Sequence, residues 1–213
     1  MTRLTTEQIH QNEVFTDLDL QHADLSGKEF SGCTFRHVKL QESRWNRARL
    51  EDCVFEDCDL TRMNPSQMRA MGVTFRQSKL MGIDWTEVAR NPVLSFEECD
   101  LRYSSFVGTN LSKAVFRACK AAEANFIQCN LAHADFSQTQ LTGANFEDSD
   151  LTLANFATAD GAFLNPAKNN VKGTRIPVES AVLLALFLGM HVEGYSEEPV
   201  PERQSSRRRG RKA

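Results

Sequence analysis

Six cysteines and five histidines are the side chains that could bind a metal or take part in redox chemistry. The closest cysteines, Cys53 and Cys58, are five residues apart, and the CxxC spacing of zinc and redox sites does not occur. No histidine has a second metal ligand at a suitable spacing, so we expect the histidines to be solvated. The cysteines are Cys33, Cys53, Cys58, Cys99, Cys119 and Cys129, and the histidines are His10, His22, His37, His133 and His191.

Catalytic signatures are missing from the sequence. Neither a GxxxxGK[ST] phosphate loop nor a nucleophile elbow is present. We therefore predict that the protein is not an enzyme and has no catalytic residue, metal or cofactor. Metal binding or redox chemistry by the cysteines remains a minor alternative.

Acidic residues are concentrated between Phe96 and Asp160, where nine Asp and Glu stand against four Lys and Arg, a net charge of −5. Residues 201–213 hold six basic residues and one acidic residue, a net charge of +5. An acidic surface attracts proteins that normally bind nucleic acid. The alternative is an ordinary solvated wall whose Asp and Asn side chains make turn hydrogen bonds. The predicted partner-binding carboxylates are Glu97, Glu98, Asp100, Glu123, Asp135, Glu147, Asp148 and Asp150.

A five-residue repeat positions these side chains. Its central residues are large and apolar, and 12 of the 14 Phe occupy them. A period of five fits neither an α-helix nor an open strand. The residue two places before each centre is small, and all six cysteines stand there, so we interpret them as compact buried hydrophobes. From Phe116 the central residues are Phe116, Ala121, Phe126, Leu131, Phe136, Leu141, Phe146, Leu151 and Phe156.

The repeat has two phases, one from Phe15 to Trp85 and a second that begins one residue late at Phe96. The extra residue predicts a loop at 86–95 that leaves the wall. Loops on a rigid scaffold often carry function, so this loop is a candidate binding element. The alternative is a tolerated insertion without a function. A second irregularity, Pro65 at a central position, predicts a distorted coil or a small bulge. The candidate loop residues are Thr86, Glu87, Arg90 and Asn91, and the residues expected to fill the irregular coil loosely are Met63, Met68 and Met71.

A large and a small inward residue in every five predict a wall followed by a corner, and four walls make a square coil of about 20 residues. The chain has 213 residues, enough for one long repeat array. At about 4.8 Å per coil, seven coils would form a rod of roughly 35 Å. We expect a lead-in at 1–12, the β-helix at 13–176, a terminal helix at 177–194 and a disordered basic tail at 195–213.

The terminal segment VESAVLLALFLGM follows Pro177 and predicts a short apolar helix. Such a helix must be buried on most sides, so we expect it to cap the rod and to form a homodimer. No apolar run is long enough to cross a membrane. We therefore expect a soluble cytoplasmic protein without a small-molecule substrate, whose basic tail is solvated or contacts nucleic acid. The predicted dimerisation residues are Val182, Leu183, Leu184, Leu186, Phe187 and Met190.

The segments AHADF, GANFE, LANFA, EANFI and QHADL resemble the A(D/N)LXX repeat of the pentapeptide-repeat proteins over about residues 13–160. This resemblance implies an all-β solenoid, a right-handed quadrilateral β-helix. The ending TRIPVESAVLLALFLGMHV is similar to the C-terminal dimerisation helix of the Qnr-like branch, and MGIDWTEV resembles immunity proteins against gyrase poisons. The resemblance implies a DNA mimic that binds DNA gyrase or topoisomerase IV and protects it from quinolones or natural poisons. The alternative is a scaffold or adaptor with another protein partner.

Overall fold

Residues 3–195 are described by the structure, which is a computed structural model. They form a parallel β-solenoid of about seven turns with a short C-terminal helix, as the sequence predicts. Helix α1 (Arg3–Thr6) precedes the first turn and α2 (Val178–Phe187) follows the last. The strands are β1 (Ile9–Gln11), β2 (Val14–Thr16), β3 (Glu29–Ser31), β4 (Thr34–Arg36), β5 (Arg49–Glu51), β6 (Val54–Glu56), β7 (Arg69–Met71), β8 (Val73–Arg76), β9 (Leu94–Glu97), β10 (Val115–Arg117), β11 (Asn125–Ile127) and β12 (Asn145–Glu147).

Each turn has four faces, numbered 1 to 4 from their first full set of inward residues, Phe15, Leu20, Leu25 and Phe30. Strands β2, β4, β6, β8, β9 and β10 build face 1, and β1, β3, β5 and β7 build the first part of face 4. Face 3 contains β11 and β12, and face 2 is joined by single bridges. The four-sided cross-section thus follows directly from the five-residue repeat.

The register between neighbouring turns is 20 residues. Phe15 pairs with Phe35 and Phe35 with Phe55. Across the insertion the offset is 21, because Phe75 pairs with Phe96. A residue's neighbours on the surface are therefore the residues 20 positions away in sequence.

The corners are made by residues in the left-handed backbone region, two positions after each inward centre, such as Asp17 with φ 54°. Among residues 3–195, twenty-two non-glycine residues adopt this conformation, which is uncommon for residues with a Cβ. Repeated hydrogen bonds between turns offset that cost; the Asp17 amide, for example, donates to the Arg36 carbonyl at 3.1 Å. At Gly72 a Cβ would lie 2.3 Å from Asp52 Oδ1, so any larger residue at this corner would require the Asp52 side chain to move.

Stacked rings fill the interior. On face 1, neighbouring Phe rings are nearly parallel, with centroids 4.7 Å apart for Phe116 and Phe136 and 4.6 Å apart for Phe136 and Phe156. Face 3 carries a second column that includes Phe126 and Phe146, 4.9 Å apart. The two columns meet edge to face, a favourable geometry for aromatic pairs. Faces 2 and 4 contribute mainly leucines, which are also buried.

The solenoid begins earlier than the sequence analysis placed it. Strand β1 lies inside the predicted lead-in and pairs with β3, with His10 opposite Phe30. His10 is completely buried and stacks on the Phe30 ring at 5.0 Å, so the expectation that it is solvated is wrong. An imidazole here takes the place of Phe or Leu at the first inward position of face 4.

The turn that contains Pro65 is regular, so the predicted bulge is wrong. Met63 and Met68 are buried, and β7 pairs with β5 in the ordinary register. Met71 is 51% exposed and does not help to fill the interior. Met63 and Met68 therefore serve as core residues of this turn, a role that suits their flexible thioethers.

Helix α2 lies at the C-terminal end of the rod, and Ser180 is its one buried residue. The Ser180 hydroxyl donates to the Ala162 carbonyl at 2.8 Å, and the Phe187 ring meets Phe163 at 5.1 Å. None of the helices among residues 3–195 has the length and apolar character needed to cross a bilayer. The predicted basic tail lies outside the described residues from Ser196 onward.

Candidate partner-binding surfaces

Charged side chains on face 1 stack in an alternating ladder along the rod. Arg36 Nη2 lies 2.8 Å from Glu56, and Arg76 contacts Glu56 at 3.6 Å and Glu97 at 3.2 Å. On face 2, Asp19, Lys39, Asp59, Lys79, Asp100 and Lys120 alternate in successive turns. These exposed pairs add little stability each, but they cancel the charge of the faces that carry them.

The eight predicted carboxylates do not share one wall. The 20-residue register distributes them over all four faces and three of the corners, because they are not 20 residues apart in sequence. Glu97 and Asp135 lie on face 1, Asp100 on face 2, Glu147 on face 3 and Asp150 on face 4, whereas Glu98, Glu123 and Asp148 occupy corners.

Four of the eight carboxylates are neutralised by a neighbouring cation. Glu97 pairs with Arg76, Asp100 with Arg102 at 2.7 Å, Asp135 with Arg117 at 3.2 Å, and Glu147 with Lys168. Such pairing reduces the net field that a partner would meet.

Several of the Asp side chains also make turn hydrogen bonds, as expected if the acidic surface is an ordinary solvated wall. Asp150 Oδ1 accepts from the Thr152 hydroxyl at 2.5 Å and the Thr152 amide at 3.0 Å, which lowers the pKa of Asp150. Burial opposes ionisation of Asp135, but hydrogen bonds from Ser137 and Arg117 outweigh it and lower its pKa as well. These carboxylates stay ionised at neutral pH while serving the corners of the coil.

Three of the eight predicted carboxylates are exposed and, within residues 3–195, lack an ion pair. They are Glu98, Glu123 and Asp148. All three stand at corners with positive φ, where side chains project from the rod. Glu98 accepts a hydrogen bond from Gln77 Nε2 at 3.0 Å. We call Glu98, Glu123 and Asp148 the corner carboxylates, and they are the members of the predicted set best placed to meet a partner.

The inserted segment follows the wall instead of projecting from it, so the predicted loop geometry is wrong. The Gln67 amide donates to the Glu87 carbonyl at 2.8 Å, and the Ala89 amide donates to the Met68 carbonyl at 2.9 Å. Val88 turns inward and is buried. The segment therefore remains hydrogen-bonded to the turn before it, and the extra residue is absorbed within face 4.

The four predicted loop residues meet different neighbours. Thr86 lies close to the Ser105 hydroxyl, Glu87 Oε2 accepts from the Ser66 hydroxyl at 2.6 Å, and Asn91 Oδ1 accepts from Asn110 Nδ2 at 2.7 Å. Arg90 is exposed and lines a cleft with three other arginines, Arg47, Arg49 and Arg69. These three arginines were not predicted from the sequence, although the 20-residue register places Arg49 beside Arg69.

The predicted dimerisation residues form an apolar surface at the end of the rod. Leu183, Phe187 and Met190 are 45%, 61% and 51% exposed, and Val182, Leu184 and Leu186 are half-buried. Exposed apolar side chains of this size are typical of an interaction surface.

All six cysteines are buried free thiols. Burial raises the pKa of Cys53, Cys58 and Cys129 to about 11, so these thiols are protonated and unreactive near neutral pH. This placement agrees with their interpretation as compact core residues.

One possible metal-ligand cluster lies at the first turn, where ligand atoms of Glu7, His10 and Glu13 come within 4.8 Å of one another. His10 Nδ1 lies 3.2 Å from Glu13 Oε1. The buried Lys28 ammonium donates to the Glu7 carbonyl at 2.5 Å. A buried cation beside the cluster disfavours a second one, so we assign no metal to it.

Comparisons with known proteins agree with this geometry. The family model described as pentapeptide repeat region matches residues 93–160, and the model of pentapeptide repeats in eight copies matches residues 14–44. Protein McbG of Escherichia coli is 38% identical over 179 residues, which cover 84% of this chain and 96% of McbG.

Two solved structures share the fold. Both are trypsin-treated variants of QnrB1, described as a plasmid-mediated fluoroquinolone resistance protein, with TM-scores of 0.66 and 0.65 and identities of 23% and 24%. The matches cover 89% and 90% of this chain and 92% and 94% of the QnrB1 chains. The repeat, the four-sided solenoid and the match along nearly all of McbG lead to one conclusion: the chain belongs to the pentapeptide-repeat family.

Proposed function

We propose that this protein is a non-catalytic cytoplasmic binder of a type II topoisomerase, DNA gyrase or topoisomerase IV, which it protects from quinolones or natural poisons by occupying the place of duplex DNA. The observation that carries the proposal is the set of corner carboxylates, exposed and free of ion pairs on a rigid rod. The Qnr-like terminal helix and the fold shared with a fluoroquinolone resistance protein support it.

The physical basis is attraction between an acidic rod and a surface that neutralises phosphates. Residues 97–195 contain eleven acidic and seven basic residues, a net charge of −4. Duplex DNA carries about one charge per 1.7 Å, so the rod is much less charged than DNA. The imitation must therefore rest on shape and on a few well-placed carboxylates, which the stacked core holds in fixed positions.

A homodimer through α2 belongs to the same proposal. Pairing the exposed Leu183, Phe187 and Met190 across a twofold axis would cover the apolar end of each rod. The dimer would be a rod of roughly 70 Å, twice the length of seven coils at about 4.8 Å each. Its centre would lie beside the acidic half of each copy.

The test is a gyrase supercoiling assay with the purified protein, with and without ciprofloxacin or albicidin. The triple variant Glu98→Gln, Glu123→Gln, Asp148→Asn should lose most of the protection. The matched control, Asp17→Asn, Glu42→Gln, Asp57→Asn, changes the same charge at exposed corners of the N-terminal half and should retain it. Wild-type protein that neither binds, inhibits nor protects the enzyme at micromolar concentration would refute the proposal.

The second candidate is a scaffold or adaptor with another protein partner. Its supporting observation is the low net charge of the rod, since half of the predicted carboxylates are paired with cations. A pull-down from host lysate separates the two functions: recovery of a topoisomerase supports the first, whereas enrichment of a different protein without topoisomerase supports the second.

A further inference from the structure

Four arginines line one cleft of about 460 Å³ on face 4, at its border with face 3. Arg47 and Arg49 belong to one turn, Arg69 to the next, and Arg90 to the inserted segment that lies against that turn. Gln67, Glu87, Val88 and Ala89 complete the lining. We call this the arginine cleft.

The arrangement departs from the charge pairing of the rest of the rod. Several other basic residues stack on an acidic one in the neighbouring turn, as Arg44 does on Asp24 at 3.0 Å. In the arginine cleft, Arg49 stands directly opposite Arg69 on paired strands, an arrangement that destabilises a sheet. A bound anion would relieve the repulsion between these two stacked guanidinium groups.

Few acidic groups compensate these charges. Arg49 pairs with Glu29 at 2.9 Å, and Arg47 Nε donates to the uncharged Gln67 side chain at 2.8 Å. Among residues 3–195, Arg47, Arg69 and Arg90 have no ion pair. The carboxylate in the lining, Glu87, accepts from the Ser66 hydroxyl, and Glu51 lies on the outer face of β5 two residues after Arg49. The cleft therefore retains a positive field.

The chemistry of the lining suits phosphate groups. Guanidinium groups bind phosphate oxygens in a two-pronged geometry. The lining contains no aromatic ring on which a base could stack. The edges of β5 and β7 are already occupied by β3 and by the inserted segment, so an acidic peptide could not add a strand here.

We propose that the arginine cleft binds the phosphate backbone of duplex DNA. Its arginines span three neighbouring levels of the rod, about 10 Å at 4.8 Å per level, and about three phosphates of one strand lie along that length. Contacts of this kind position a protein on DNA without reading its sequence. This inference does not depend on topoisomerase binding. A topoisomerase with duplex DNA bound would nevertheless offer this protein both the enzyme and the DNA in one complex.

The experiment measures binding of the full-length protein to a fluorescent duplex of about 20 base pairs by anisotropy, in a salt titration from about 50 mM upward. The variant Arg69→Gln, Arg90→Gln should bind about tenfold more weakly and lower the slope of log K against log salt by about two, one for each lost phosphate contact. The control Arg44→Gln, Arg62→Gln removes the same charge from exposed, ion-paired positions and should change binding less than about twofold.

To remove any contribution of the basic tail, the comparison is repeated with Arg207, Arg208 and Arg209 changed to Gln. The difference between the cleft and control variants should persist there, and circular dichroism should show that all variants are folded. Equal losses in both variants, or no loss in either, would overturn the proposal. It would also be overturned if inorganic phosphate, ATP or polyglutamate bound with the same dependence on Arg69 and Arg90 while duplex DNA did not.

Discussion

Replacing Phe136 with Ala tests whether the stacked rings hold the solenoid together. The Phe136 ring is fully buried, lies parallel to Phe116 and Phe156 at 4.7 and 4.6 Å, and meets Phe126 and Phe146 edge to face at 5.4 and 5.8 Å. Removing a buried Phe costs about 3–5 kcal/mol. Since each aromatic pair adds about 0.5–1.5 kcal/mol, we expect the upper end of that range, near 5 kcal/mol.

The measurement is equilibrium unfolding in urea, followed by far-ultraviolet circular dichroism. The control is Phe163→Ala, because Phe163 lies outside the repeat, is 37% exposed and makes its ring contact with α2. Removal of this partly exposed ring should cost about 1 kcal/mol. Comparable losses for the two variants, or a loss below about 1 kcal/mol for Phe136→Ala, would refute the role of the ring columns.

Three further predictions concern assembly, the corners and pH. Phe187→Asp places a charge on the exposed apolar surface of α2 and should convert a dimer to a monomer in light scattering; a monomeric wild type would remove the dimer from the proposal. Gly72→Ala should lower the free energy of unfolding by about 1–2 kcal/mol, because its φ is positive and the Asp52 side chain must turn away from the new Cβ. Gly108→Ala, with the same φ and open space, should cost about half as much, and equal losses would contradict the contact with Asp52. Because the pKa of Asp150 is lowered on folding, the unfolded chain binds more protons and stability should fall as the pH drops below about 4. Asp150→Asn should weaken this acid dependence in pH-jump unfolding, and an unchanged profile would exclude that contribution.

The five-residue repeat made the interior predictable. It did not predict where the solenoid begins or which path the inserted segment takes. The burial of Phe126 and Cys129 could be predicted because a period of five places both side chains inside a four-sided coil. His10 was missed because a polar imidazole does not match the apolar repeat, although it stacks on Phe30. The extra residue before Phe96 was visible as a phase change, but hydrogen bonds to the preceding turn decide that it follows the wall.

The surface was harder to predict because its charges interact across turns rather than along the chain. Counting acidic residues between Phe96 and Asp160 gave a net charge without showing that Glu97 is neutralised by Arg76. Comparing each residue with the one 20 places away would have revealed both the alternating ladders and the Arg49–Arg69 contact. The corner carboxylates can be identified only when the ion pairs of the other acidic residues are known.

The most direct test of the proposed function is whether this protein and duplex DNA compete for one site on the topoisomerase. Binding of the fluorescent Arg69→Gln, Arg90→Gln variant to DNA gyrase should be measured while unlabelled linear duplex is added, so that DNA contact by the arginine cleft does not contribute. We predict that the duplex displaces the protein and that its apparent affinity falls in proportion to the DNA concentration. Simultaneous binding with unchanged affinity would contradict occupation of the DNA site.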